Sequence, residues 1–279
     1  MQKARALTVL ASVFLLAGCN FPGPGSPSAV PSTPPPATLP PAGTSPATSE
    51  PSPFPSPPAL PEEAIIILEP GPGSRLVGSI HIAGLADSTF EQNLGIRVLL
   101  DDGTLMVQTS TIINSELGTR GPFAADISFT IAGERNAFVQ VFSASPRDGG
   151  ITHLNSVGVT LAEAGPVNVV TTSPHPEDIN IHLPAGGATI SGGVVHVEGI
   201  GIASFEQTLV VTVYNDEGIS IASLPLIVAA PDFGLPGTFR IDVPYMVARE
   251  QPGRITVSDP SVAFLGDNHI ASVEVRLAP

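Results

Sequence analysis

From Ala64 onward the chain is a succession of short apolar runs punctuated by Gly, Pro, Asn and Asp. Ile65-Ile66-Ile67-Leu68 predicts an opening strand, closed by the turn Pro70-Gly71-Pro72-Gly73. Ser79 to Gly84 alternates, with Ile80 and Ile82 on one face and His81 on the other, as a half-buried strand does. Leu94 to Leu100 and Leu105 to Ile113 flank Asp101-Asp102-Gly103, a hairpin signal because Gly accepts positive φ. Pro122 to Ile131, Ala137 to Ser143 and His153 to Leu161 supply three more strands.

The same order then returns. Ile179 to Leu183 opens a second set and Val194 to Gly199 follows. Leu209 to Tyr214 and Ile219 to Val228 flank Asn215-Asp216-Glu217-Gly218, and Gly237 to Val243, Arg254 to Ser258 and Ile270 to Leu277 close it. Three separate features share one offset: His81/His196, Gly84/Gly199 and Phe90-Glu91-Gln92/Phe205-Glu206-Gln207. A constant offset across several features marks an internal repeat. No stretch of useful length carries a helical period. About seven strands in about 100 residues is the size of an immunoglobulin-like sandwich. The expected fold is all-β, two tandem immunoglobulin-like β-sandwich domains at residues 64–162 and 178–279. A linker at residues 163–177, with Pro166, Pro174 and Pro176, joins them.

The N-terminus changes the picture. Lys3 and Arg5 precede an apolar stretch from Ala6 to Leu16, too short to cross about 30 Å of hydrocarbon as a helix. It ends in Leu16-Ala17-Gly18-Cys19, which resembles the lipobox of bacterial lipoproteins. The resemblance implies a signal peptide over residues 1–19, cleavage just before Cys19 and a lipid on its sulfur. A multiply acylated anchor is effectively permanent, at about 0.8 kcal/mol per buried methylene. Residues 20–63 are rich in Pro, Ser, Thr, Ala and Gly with no apolar period, which predicts a disordered, extended tether. The expected location is extracytoplasmic, lipid-anchored to the cell membrane, on the cell surface or the periplasmic side.

Charge and cysteine narrow the options. Without Lys3 and Arg5 the chain keeps nine arginines against 25 acidic residues, a net of −16. Such a surface repels nucleic acid, which needs clustered Lys and Arg. The expected partners are the membrane, through the lipid on Cys19, and an envelope protein or polymer, with no nucleic acid. Cys19 is the one cysteine, so no intrachain disulfide can form. Trp is absent, so the cores must be aliphatic with a few Phe.

Each copy resembles the immunoglobulin-like domain associated with bacterial spore germination. The residues carrying the likeness are Gly84-Leu85-Ala86 with Phe90-Glu91, then Asp102-Gly103, then Gly121-Pro122-Phe123. In the second copy Gly199-Ile200-Gly201 replaces the Ala by Gly, while Phe205-Glu206, Glu217-Gly218 and Gly237-Thr238-Phe239 keep the rest. The resemblance implies the fold and no catalytic residues.

Candidate site residues are few. Phe90 and Phe205 are expected to close one end of each core. Glu91 and Glu206, their charged neighbours, are either carboxylates accepting loop amide hydrogen bonds or an acidic recognition point presented twice. His81 and His196 sit on outward strand faces with no ligand partners at metal spacing, and His175 and His182 lie near the joint between copies. Asp101-Asp102-Gly103 and Asp216-Glu217-Gly218 lack the alternate acidic oxygens and distal Glu of an EF-hand loop and read as turns, and calcium at the joint would draw on Glu163, Glu177 or Asp178. No nucleophile elbow, zinc-protease motif or phosphate-cradling loop occurs. The expectation is no enzyme, no cofactor and no metal site. Non-catalytic binding or scaffolding at the envelope is the leading function. A purely structural spacer and a carbohydrate-active module are the alternatives, the last weakened by the scarcity of Tyr and the lack of Trp.

Overall fold

The computed structural model describes residues 60–279; the signal segment, Cys19 and the tether up to residue 59 lie outside the described residues. The first sandwich comprises β1 (Ile65–Glu69), β2 (Arg75–Val77), β3 (Ser79–Ala86), β4 (Asn93–Leu100), β5 (Leu105–Ile112), β6 (Gly121–Ser128), β7 (Glu134–Ala144) and β8 (Ile151–Ala162). The second comprises β9 (Ile179–Leu183), β10 (Thr189–Ile190), β11 (Val194–Gly201), β12 (Thr208–Tyr214), β13 (Ser220–Ile227), β14 (Gly237–Pro244), β15 (Gln251–Pro260) and β16 (Asp267–Leu277). Every strand expected from the alternation is present. β2 and β10 are additions too short to show a period, and they pair in parallel with β8 and β16.

In each copy a three-stranded sheet, β1-β3-β6 or β14-β11-β9, covers four strands of a larger one. The alternation places Ile80 and Ile82 of β3 in one core with Ile96 and Val98 of β4 and Val139 and Val141 of β7. Val195 and Val197 pack in a second, separate core with Val211, Val213, Ile255 and Val257. Each fully buried Ile or Val contributes roughly 2 kcal/mol.

The glycine–aromatic pattern of the repeat has a physical cause. Gly84 lies opposite Phe123 on β6, and Gly199 lies opposite Phe239 on β14. The ring covers the glycine closely in each copy, and a β-carbon there would collide with it and with a carbonyl of the neighbouring strand, Ile66 or Asn180.

The two copies are not beads on a linker. The larger sheets merge into one, in the order β13-β12-β15-β16-β8-β7-β4-β5. β2 and β10 cover only one end of the outer edges of β8 and β16, and antiparallel pairing joins the two strands along the part left open, at Leu154–Asn155 and His269–Ile270. His269 lies opposite Asn155, and Ile270 opposite Leu154. Ser272 Oγ donates to Thr152 O at 2.6 Å, Gln140 Nε2 donates to Asp267 O at 2.7 Å, and the rings of Phe138 and Phe264 stack at 4.0 Å. The segment 163–177 runs along the first sandwich, with Asn168 and Arg75 exchanging backbone bonds at 2.7 and 2.9 Å.

Candidate functional site

Two places concentrate chemistry. The first is the Phe-Glu-Gln turn, built twice. Glu91, Gln92, Glu206 and Gln207 all have φ between 49° and 56°, the left-handed region that non-glycine residues rarely enter. This turn reverses the expected packing. Phe90 and Phe205 are 58% and 47% exposed, so they do not close the cores, and it is Gln92 that turns inward, at 3%. Two left-handed residues in succession swing the aromatic out and the amide in. Gln92 Nε2 donates to Ser115 Oγ, Glu116 O and Thr119 O at 2.8, 2.9 and 3.2 Å, pinning the loop before β6. Gln207 Nε2 reaches Ala230 O at 3.3 Å. Glu91 and Glu206 are exposed, and no hydrogen bond to either carboxylate is found among the described residues. Phe90 stands between two open depressions of about 360 and 420 Å³.

The second place is the joint, and sequence reasoning missed most of it. Antiparallel pairing of β8 with β16 puts Asn155 opposite His269, so His153, two residues along, lies diagonally from His269 on the same face. Their rings meet edge-on at 4.9 Å. Glu63, just before β1, and Glu177, just before β9, close over them. His153 Nε2 and Glu63 Oε1 are 2.5 Å apart, and His269 Nε2 lies 3.1 and 3.0 Å from the two Glu63 oxygens. Glu177 Oε1 is 3.4 Å from His269 Nε2 and 3.8 Å from His153 Nε2. Glu63, Glu177 and His269 are buried and His153 nearly so.

The cluster has local two-fold character. Glu63 and Glu177 hold equivalent places before β1 and β9, and His153 and His269 equivalent places on β8 and β16. Glu63 N donates to His175 O and Glu177 N to Pro61 O, at 3.0 and 2.9 Å. Ala64 N donates to Glu177 Oε2 and Asp178 N to Glu63 Oε2, at 3.0 and 3.2 Å. The repeat contained a signal for these residues. Glu63/Glu177 are 114 apart and His153/His269 are 116 apart, one residue either side of the His81/His196 spacing of 115, so a search at constant offset passes over them.

Burial by itself would raise the Glu63 carboxyl, but hydrogen bonds from His153 and His269 hold it well below the usual carboxylate range. Burial would lower His269, yet the hydrogen bond and charge of Glu63, with Glu177 and Asp178, push it up. Glu177 is pushed up by burial, which the nearby histidines offset only in part.

The other candidates separate. His81 and His196 pair across strands with Asp126 and Asp242 at 2.8 and 2.5 Å on exposed faces. His175 Nδ1 lies 3.0 Å from the Pro176 carbonyl. Asp101 and Asp102 pair with Arg135, and Asp102 Oδ1 accepts from Thr104 N, which is turn chemistry. Glu163 Oε2 accepts from Gly133 N, away from the joint, whereas Glu177 belongs to the cluster.

Residues 64–150 match the family model of the immunoglobulin-like domain of bacterial spore germination. This match covers β1 to β7 of the first immunoglobulin-like sandwich. No curated protein matches the chain. Among solved structures it is similar to latent PorU from Porphyromonas gingivalis, at 9% identity over 77% of this chain and 24% of that one, with a TM-score of 0.24. Red sea bream transglutaminase is 6% identical over 77% of this chain and 31% of that one, with a TM-score of 0.27. Bovine butyrophilin is 12% identical over 76% and 98%, with a TM-score of 0.22. The chain thus spans about a quarter and a third of the first two proteins.

Proposed function

We propose that this chain is a non-catalytic binding or scaffolding protein of the cell envelope, tethered through a lipid on Cys19. It would display two immunoglobulin-like sandwiches joined into one body. The observation that carries the reading is the Phe-Glu turn built twice, at Phe90-Glu91 and Phe205-Glu206. Each turn holds an exposed aromatic and a carboxylate without a hydrogen-bond partner among the described residues, on left-handed backbone. Left-handed backbone occurs at ligand clamps as well as in structural turns; the inward Gln92 amide accounts for the backbone here, and nothing in the core accounts for the outward ring. The ligand class this favours is a protein or polymer offering an apolar group beside a cation.

The test is capture from detergent-solubilised envelope by the full chain, wild type against Glu91→Ala/Glu206→Ala. A partner bound by wild type and lost from the double variant, with the melting temperature unchanged, supports recognition by the twin turns. Equal capture by both proteins removes the turns from the reading, and no capture by either favours a spacer. Cys19→Ser is expected to move the chain out of the membrane fraction.

A further inference from the structure

The geometry points to a divalent metal site of the zinc class at the joint, with Glu63, His153, Glu177 and His269 as ligands. Each sandwich supplies one carboxylate and one imidazole from equivalent positions, and the four donor atoms lie within 4.8 Å of one another. A tetrahedron contains a two-fold axis, so one ion can satisfy a pair of equivalent Glu and a pair of equivalent His together. Two carboxylates and two neutral imidazoles carry a charge that a single dication cancels, which matters where the groups are cut off from water.

One atom is aimed at the centre without a partner. Glu177 Oε1 is buried and no hydrogen-bond donor is aligned on it among the described residues, while its sister Oε2 is occupied by Ala64 N. Bonds of about 2.0 to 2.2 Å to zinc imply about 3.3 to 3.6 Å between neighbouring ligand atoms in a tetrahedron. His269 Nε2 to Glu177 Oε1 is already 3.4 Å, His269 Nε2 to Glu63 Oε1 is 3.1 Å, and His153 Nε2 to Glu177 Oε1 is 3.8 Å. The 2.5 Å contact of His153 with Glu63 would have to open. Mixed imidazole and carboxylate donors favour zinc or a related transition ion over calcium or magnesium, which take oxygen. Entry is provided by a pocket of about 300 Å³ lined by His153, Glu177 and Ala64. His269 Nδ1, by contrast, has no partner among the described residues to orient the ring. The ion would couple the two sandwiches, since neither holds more than half the ligands.

The test uses the full chain in detergent, stripped by a chelator and titrated with Zn²⁺, and separately with Ca²⁺ and Mg²⁺. One Zn²⁺ per chain is expected, with a higher melting temperature and no binding of Ca²⁺ or Mg²⁺ at the same concentration. Co²⁺ in its place should give the intense visible absorption of tetrahedral coordination. Glu177→Gln, which preserves shape, should weaken Zn²⁺ by at least about tenfold. Independently of any variant, Zn²⁺ should shift the imidazole resonances of His153 and His269 in the wild-type protein and leave those of His81 and His196 in place. No stoichiometric binding, preference for Ca²⁺, or shifts confined to the surface histidines would overturn the site.

Discussion

Asp148 of the first sandwich and Arg254 of the second meet at 2.9 Å across the joint, their side chains 3% and 2% exposed. Arg147 and Glu274 extend the contact into a four-residue network, and the Arg254 guanidinium also lies 5.1 Å from the centre of the Tyr214 ring. Removing one member of such a buried pair strands the other charge. Asp148→Asn is expected to cost about 3 kcal/mol in urea denaturation. The double change Asp148→Asn with Arg254→Met should cost markedly less than the sum of the single changes, because the stranded cation is gone. Strict additivity would show that the pair is not coupled.

The same pair sets an acid limit. Burial raises the Asp148 carboxyl, but bonds from Arg254, Gly150 N and Arg147 hold it well below the usual carboxylate range. A folded-state value below the unfolded one, which is about 3.9, gives stability that is complete above about pH 4 and is lost as pH falls through the folded value. The melting temperature should therefore fall below about pH 4, and Asp148→Asn should fall less steeply than wild type over that range. Parallel curves would contradict the assignment.

Gly84 and Gly199 leave no room for a side chain, because a strand carbonyl and a Phe ring already occupy the space. Gly84→Ala and Gly199→Ala should each destabilise the protein by about 3 kcal/mol. Gly118→Ala makes a useful comparison, since nothing lies within 4 Å of its β-carbon position and only its φ of 86° opposes the change. A Gly84→Ala variant that melts with wild type would refute the close approach.

The inward amide and outward ring of the Phe-Glu-Gln turn make opposite predictions for neighbours two residues apart. Gln92→Ala strips donors from Ser115, Glu116 and Thr119 and should cost about 2 kcal/mol. Phe90→Ala, at an exposed ring, should change stability by less than about 0.5 kcal/mol. Denaturant midpoints for the two variants check both, and a larger loss at Phe90 would return that ring to the core.

The strands were legible because alternation is a local property: Ile80, His81 and Ile82 display their faces in three consecutive letters. The reversal at Phe90 was not, because hydrophobicity argues for burial and only the left-handed turn at Glu91 and Gln92 overrides it. Glu63 read as the end of a proline-rich tether, since nothing beside it in the chain announces His153 or His269.

By itself the sequence determined the all-β sandwich fold, its strands and the glycine hairpins, which rest on patterns within a few residues. Tertiary structure alone decided that the two edge strands β8 and β16 pair. That pairing draws residues more than 200 positions apart, Glu63 and His269, into one buried cluster. The physical reason is the unpaired backbone of an edge strand, which any suitable edge can satisfy and which no local pattern of side chains specifies.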